Sequence, residues 1–304
     1  MEIGGYFELD PGGSNTPLPD GVLLNSGRNA LRHIVRMLGI RKIHIPYYVC
    51  PVVLTALREE GCEILPYCLD ASMMPAEDFS PDDTILYVNY FGVCGKNVDV
   101  LAKTYPHLIV DCAQAYFASP KGEASFSSPR KFFGVPDGGI AYGVQAMDYP
   151  RDESSGRMAH LHARKERGAR AGYALFRAAE DSLFGAPIRA MSPTTSQLLS
   201  KVDAAKAIRQ RQRNFACLDA HLHSSFPVAM AADDVPMVYP FVTQDQTLRQ
   251  RLIDHGIFVA TYWPNLEADD SFCNTILPLP LDQRYEETDI QNILAVMHVL
   301  ALQG

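Results

Sequence analysis

Three short stretches of the chain combine residue types that can do chemistry. Lys131 follows Ser127-Ser128-Pro129-Arg130 and precedes Phe132-Phe133 and a glycine-containing turn that ends on Asp137-Gly138-Gly139. No other lysine is so flanked, and apolar surroundings favour the neutral, nucleophilic amine. A surface lysine is the plain alternative. Asp111 closes the apolar run Leu108-Ile109-Val110 and is followed by Cys112-Ala113-Gln114. A carboxylate there can hold a buried cation, and a pair at about 4 Å is worth roughly 4 kcal/mol at an effective dielectric near 20. Capping the next helix is its simpler role. Asn25-Ser26-Gly27-Arg28-Asn29 stands at the head of an amphipathic segment. The free amides and positive end of a helix N-terminus attract anions, phosphate among them. Capping by Ser26 is compatible with that role.

These groups need elements to position them. Ala30, Leu31, Ile34, Val35 and Leu38 recur at helical spacing. Ile43 to Pro46 reads as a strand, Val52 to Glu60 as a helix and Cys62 to Leu69 as a strand. Ile85 to Tyr90, Val98 to Tyr105 and Leu108 to Cys112 then read as strand, helix and strand. Such alternation predicts a mainly parallel sheet covered by helices on both faces. Residues 151–190 carry a net charge of +3 while the rest of the chain carries -11, and they read as a solvated helical segment or a binding surface. A long helix is expected from Ser200 to Leu222, followed by strand (Met237 to Val242), helix (Thr247 to His255), strand (Ile257 to Tyr262) and a final helix. Thr288 with Gln291 suggests a capping box for that last helix. The expected division is a large α/β domain over 1–190 and, over 191–304, a connecting helix with a smaller α+β domain.

Composition narrows the function. With 304 residues, 47% hydrophobic and 20% charged, the chain can bury a core. A net charge of -8 argues against a nucleic-acid partner. No apolar run reaches about 18 residues, which argues against a membrane span. Met1 to Gly13 carries acids and glycines where an export signal needs a basic start and an apolar stretch, so a cytoplasmic location is expected. Seven cysteines, at 50, 62, 68, 94, 112, 217 and 273, contain no C-x-x-C pair and read as reduced, buried thiols. No G-x-G-x-x-G or G-x-S-x-G occurs, and Gly95-Lys96 lacks the rest of a phosphate loop. His160/His162 and His221/His223 are spaced two apart, which points each pair in different directions on a helix; no metal is expected.

In order and spacing, the segments around Gly27, Asp111 and Lys131 resemble the DegT/StrS sugar aminotransferases, a family of fold-type I pyridoxal phosphate enzymes. The resemblance continues through Gly61 and the strand to Asp70, through Asn89-Tyr90-Phe91-Gly92, and to Leu252-Ile253-Asp254-His255-Gly256-Ile257. It implies a fold-type I large domain and pyridoxal 5'-phosphate as cofactor. It also implies transfer of an amino group from a small-molecule donor to a keto sugar, free or nucleotide-linked, or a related ketone. Lys131 would form the Schiff base with the cofactor and Asp111 would pair with the pyridine nitrogen. Gln114 would lie near the ring hydroxyl. Gly27, Arg28 and Asn29, with a hydroxyl from Ser127 or Ser128, would hold the phosphate. A homodimer with a shared active site is implied as well, and residues 151–190 mix arginines with Tyr173, Leu175, Phe176 and Phe184 in a manner suited to an interface.

The chain also departs from the family pattern. Cys50 falls where an aromatic usually stacks on the cofactor, with Tyr47 and Tyr48 two or three residues earlier, and Asp137 stands where Glu is commoner. Met191 to Ser196 occupies the place of an Asn that reaches the neighbouring subunit's phosphate. Two alternatives follow: a catalytically silent binding or regulatory protein on the same fold, and an eliminating enzyme, which in the family goes with loss of the lysine.

Overall fold

The computed structural model describes residues 2–10, 12–263 and 272–301. Its first part runs β1 (Ile3–Gly4), β2 (Val22–Leu24), α1 (Gly27–Leu38), β3 (Lys42–Pro46), α2 (Pro51–Glu59), β4 (Glu63–Tyr67), β5 (Ile85–Val88), α3 (Gly95–Thr104), β6 (Leu108–Asp111), β7 (Ala124–Ser127) and β8 (Gly139–Tyr142). Then follow α4 (Ala159–Arg167), α5 (Ala169–Leu183), α6 (Pro193–Leu199) and α7 (Ala204–Leu222). The last part holds β9 (Val238–Val242), α8 (Leu248–Asp254), β10 (Ile257–Phe258), α9 (Phe272–Thr275), β11 (Ile276–Pro280) and α10 (Glu287–Ala301).

Seven strands form one sheet in the order β2-β8-β7-β6-β5-β3-β4. Strands β4, β3, β5, β6 and β7 are parallel, while β8 runs antiparallel to both β7 and β2. Every residue of β5, β6 and β7 is buried, as the near-continuous apolar runs of a two-sided parallel sheet require. Helix α1 packs on β7 and β8 through Ala30, Leu31, Ile34 and Val35, none of them measurably exposed. Ser26 caps its first turn by accepting from the Asn29 amide (3.1 Å), and Gly39 ends it in the left-handed region.

A second core gathers Leu218 of α7, Tyr239 of β9, Leu252 of α8, Leu277 and Leu279 of β11, and Ile290 and Ile293 of α10. Strands β9 and β11 pair antiparallel with Pro240 opposite Pro278. A two-stranded sheet has only edges, which is where a residue without an N–H is tolerated. The N-terminus is bound into this part of the molecule: β1 pairs with β10, and the Gly4 amide donates to Tyr285 Oη at 2.6 Å. Further on, the Glu8 carboxylate accepts from Arg164 Nε (2.8 Å) and Arg284 Nη1 (2.7 Å).

Several sequence expectations are corrected. The helix expected from Ser200 begins at Ala204, capped by Asp203 accepting from the Lys206 amide, with the separate α6 ahead of it. The strand expected over Ile257 to Tyr262 stops at Phe258. The proposed Thr288/Gln291 box does not cap α10; instead the Asp289 carboxylate accepts from the Glu286 amide at 2.9 Å. Strands β2, β7, β8 and β11 were not expected. Of the cysteines, Cys62, Cys94 and Cys112 are buried while Cys68 is exposed, and the side chain of Cys273 lies outside the described residues.

Candidate active site

The carboxyl ends of adjacent parallel strands are where open α/β sheets build their sites. Strand β6 ends on Asp111 and β7 ends on Ser127, which leads through Ser128 into a short 3-10 turn, Pro129–Lys131. Asp111 is 5% exposed, and its Oδ1 accepts from the Ala113 amide at 2.8 Å. Burial raises its pKa above the ordinary carboxylate range; the Lys131 ammonium and the Ala113 N–H pull the other way. Lys131 is therefore close enough to act on Asp111 as a counter-charge. Lys131 itself is half-buried and forms no side-chain hydrogen bond or ion pair among the described residues. A free amine next to a buried acid is the arrangement that the two segments suggested.

The glycines explain how α1 reaches this place. A Cβ on Gly139 would lie 2.0 Å from the Ser26 carbonyl oxygen and 2.6 Å from the Gly27 nitrogen. Strand β8 can thus lie directly under the head of α1 only because it starts with glycine. Gly27 in turn faces Ser128, whose Cβ would stand 3.3 Å from a Cβ at that position. The N-terminus of α1, Ser128 and the turn that carries Lys131 are in this way brought together.

Other expected residues have more than one duty. Gln114 is buried; its Oε1 accepts from the Phe91 amide at 2.7 Å, while its Nε2 is a buried donor without a partner among the described residues. The Arg28 guanidinium donates to the Leu183 carbonyl (2.9 Å) and lies 4.8 Å over the Phe184 ring. The Asn29 side chain donates to Asn25 Oδ1 and to the carbonyls of Ala186 and Pro187. Asn29 has nothing left for an anion, since its amide is already given to Ser26; Arg28 keeps its backbone N–H and a buried Nε that has no partner among the described residues. Ser127 is buried at the strand end.

Asp137, ahead of Gly138-Gly139, has no measurable exposure and accepts from the Ser192 amide (2.9 Å), Ser192 Oγ (2.7 Å) and Thr195 Oγ1. Burial raises its pKa, opposed by these donors. It fastens the glycine turn to the head of α6. Within the segment that takes the place of the family's subunit-crossing Asn, the Ser192 and Thr195 hydroxyls are therefore engaged by this acid of their own chain.

Beside Lys131 opens a cavity of about 930 Å³, whose wall includes Ser128, Arg130, Arg211, Tyr262 and Phe258. Among the described residues Lys131 is the only lysine on it. Tyr48 is withdrawn into the core, stacked on Tyr90 at 5.5 Å. The second part of the chain brings Phe258 and Tyr262 to the cavity; burial holds the Tyr262 phenol above its ordinary pKa, with the Cys50 thiol adding to the shift. Among the described residues, no group of His, Cys, Asp and Glu could hold a metal ion.

No family model and no curated protein matches the chain. Solved structures do. DesV from S. venezuelae, solved in complex with a ketimine intermediate, superposes with a TM-score of 0.64 at 18% identity, covering 92% of this chain and 84% of that one. The chain has the fold of these aminotransferases. The PLP-form of the putative sugar aminotransferase Spr1654 from Streptococcus pneumoniae gives a TM-score of 0.64 at 14% identity over 99% and 93% of the two chains. A DegT DnrJ EryC1 StrS aminotransferase from Brucella abortus gives 0.63 at 15% identity over 92% and 85%.

Proposed function

We propose that the protein is a pyridoxal phosphate-dependent aminotransferase acting on a keto sugar or related ketone, with a small-molecule amino donor. The observation that carries this reading is the meeting of Lys131, Asp111 and the N-terminus of α1 at the carboxyl edge of one sheet. The residues present fit the cofactor: the unpartnered Gln114 Nε2 is a donor for a ring hydroxyl, and the close approach of Gly27 to Ser128 leaves backbone and a hydroxyl for a phosphate. Bound pyridoxal phosphate supplies an electron sink for the substrate carbon. Asp111, ionised next to a cationic ring nitrogen, holds the proton on that nitrogen. Lys131 serves as the covalent attachment point and, once released, as the base that takes a proton from the substrate carbon and returns it. Tyr262, on the cavity wall, would supply the aromatic cover that Cys50 does not.

The test is multiple turnover. Purified protein with cofactor should change its visible spectrum on addition of an amino acid, revert on addition of the ketone acceptor, and form aminated product in excess over enzyme. Cofactor binding with a spectrum that no donor alters would favour the silent, regulatory reading instead. A cytoplasmic location fits the unpaired state of the cysteines described, and no described helix is long and apolar enough to cross a membrane.

The division at about residue 190 and a homodimer with a shared site belong to the same proposal. Phe176 is occupied at home, stacked on Tyr6 at 4.7 Å, but Tyr173 (53% exposed), Leu175 (40%) and Phe184 (60%) leave an apolar face on and just after α5. Arg170 and Arg177 border it, giving a charged margin. Light scattering at micromolar concentration is expected to give a dimer, and Leu175→Glu, at a position off the cavity wall, to shift it toward monomer with loss of turnover. A monomer of full activity would remove the shared site from the proposal.

A further inference from the structure

Nothing bonded to its own side chain holds Lys131 in place, since the amine has no hydrogen bond or ion pair among the described residues. Its position is inherited from the main chain. That main chain is a short 3-10 turn, in which the Lys131 amide donates to the Ser128 carbonyl (3.2 Å) and the Phe132 amide to the Pro129 carbonyl (2.9 Å). Such turns have poor hydrogen-bond geometry and little strength of their own. The residue that anchors this one is Phe132, which has no measurable exposure. From the first part of the chain, the Phe117 ring stands perpendicular to it at 5.7 Å. The second part supplies the rest.

Gln283, three residues beyond β11, donates from Nε2 to the Phe132 carbonyl at 2.6 Å. Its Oε1 accepts from Nε of Arg211, on α7, at 2.7 Å. An amide can exchange its oxygen and nitrogen by rotation, but an arginine only donates. Arg211 therefore forbids the flipped amide and aims Nε2 at Phe132. The guanidinium is locked in turn: it is fully buried, its Nη1 donates to the carbonyls of Pro236 (3.0 Å) and Met237 (3.1 Å), and its carbon lies 4.4 Å over the Phe132 ring. Asp282, the acid that acts on it through space, gives both oxygens to Arg284, at 2.7 and 2.8 Å. The Met237 amide donates to the Phe91 carbonyl (2.7 Å), and the Phe91 amide donates to Gln114 Oε1 (2.7 Å). Through Met237 and Gln283, the Gln114 segment and the Lys131 turn are fastened to one guanidinium.

We infer that Gln283, oriented by Arg211, is a positioning residue for Lys131: it pins the carbonyl of the next residue and so sets where the amine stands at the cavity. Neither side chain has to touch substrate or cofactor for this. Misplacing a reacting group by about 1 Å costs on the order of 10² in rate. That Lys131 is the reacting amine rests on the aminotransferase reading; that Gln283 and Arg211 fix its place does not.

Gln283→Glu separates positioning from packing. The carboxylate keeps an acceptor for Arg211, with a charge to match, but has no N–H for the Phe132 carbonyl. The melting temperature should therefore hold. In the cofactor-free protein, labelling with acetic anhydride and mass spectrometry gives the rate of modification of Lys131 relative to Lys121, which is paired with Asp99 and serves as internal reference. Local loosening of the turn should raise that ratio at least about threefold. In the loaded protein, kcat should fall about tenfold or more while KM for the amino donor stays within about twofold of the parent's. A labelling ratio equal to the parent's overturns the inference whatever turnover does, and faster labelling of Lys121 and Lys131 together, which marks a looser fold and leaves the ratio unchanged, does the same. So does a raised ratio with kcat intact. Should the glutamate variant fail to fold, Gln283→Met, which fills similar space without an N–H, is read in the same way. A raised ratio in a protein whose parent transfers no amino group would reject the proposed reaction and leave the positioning of Lys131 standing.

Discussion

Lys131→Ala is expected to reduce amino transfer by at least about 10³-fold, the scale on which a positioned acid–base group contributes, before the loss of covalent attachment is counted. The protein should stay folded. Lys131 is half-buried at the end of a 3-10 turn and forms no side-chain hydrogen bond or ion pair among the described residues, so its removal orphans no hydrogen-bond partner and leaves only the Asp111 carboxyl less compensated. Borohydride reduction of the cofactor-loaded parent followed by peptide mapping should find the pyridoxyl group on Lys131. The competing lysines are poorly placed: Lys121 is paired with Asp99, and Lys131 alone reaches the cavity wall. Lys131→Arg separates charge from nucleophilicity, because arginine keeps the cation next to Asp111 and cannot form the bond. It should be as inactive as the alanine variant. Label on another lysine, or an active arginine variant, would refute the role.

The parts of this site that were legible in the sequence share a physical reason. Asp111 closes a strand whose other residues are all apolar because both faces of the sheet are covered, so the acid stands out against its run. Lys131 was visible through its two phenylalanines; Phe132 is fully buried and Phe133 nearly so. The glycine-containing turn that ends on 138 and 139 stands out in the sequence, but the head of α1 that Gly139 meets lies far along the chain and is not legible from it. Strands β7 and β8 escaped because Ala-Ser-Phe-Ser and Gly-Ile-Ala-Tyr are short and rich in small residues, and their pairing is set by neighbours far along the chain. Strand β11 escaped because Ile-Leu-Pro-Leu-Pro contains prolines that only an edge accepts. Arg211 was hidden in Arg209-Gln210-Arg211-Gln212-Arg213, which reads as a solvated helix surface. One signal was there: 207, 211, 214 and 218 form a single stripe that ends on leucine, so an arginine and an asparagine occupied core positions of an amphipathic helix.

Asp111→Asn is expected to divide function from stability. Without the carboxylate, the ring nitrogen of bound cofactor loses its partner; at about 4 Å and an effective dielectric near 20 that pair is worth roughly 4 kcal/mol, or about 10³ in rate if all of it is felt in the transition state. Cofactor binding should remain measurable, because the phosphate end is held by α1 and Ser128. The cofactor-free protein should respond in the opposite sense. Burial raises the Asp111 pKa in the folded state above its unfolded value, so the folded form binds that proton more tightly. The stability linked to that proton is present at low pH and is lost as pH rises through the folded value. Once ionised, Asp111 is a buried charge that Lys131 only partly offsets. Asparagine removes the charge and keeps Oδ1 as acceptor for the Ala113 amide. The variant without cofactor should accordingly melt at a higher temperature than the parent at neutral pH, with the gap closing as pH falls toward the ordinary carboxylate value near about 4. Thermal melts at a series of pH values, set beside turnover of the loaded protein, read both effects. Equal turnover of variant and parent would deny the electronic role. A variant that melts lower at neutral pH would show that the Asp111 charge is compensated in the folded protein more fully than its surroundings indicate.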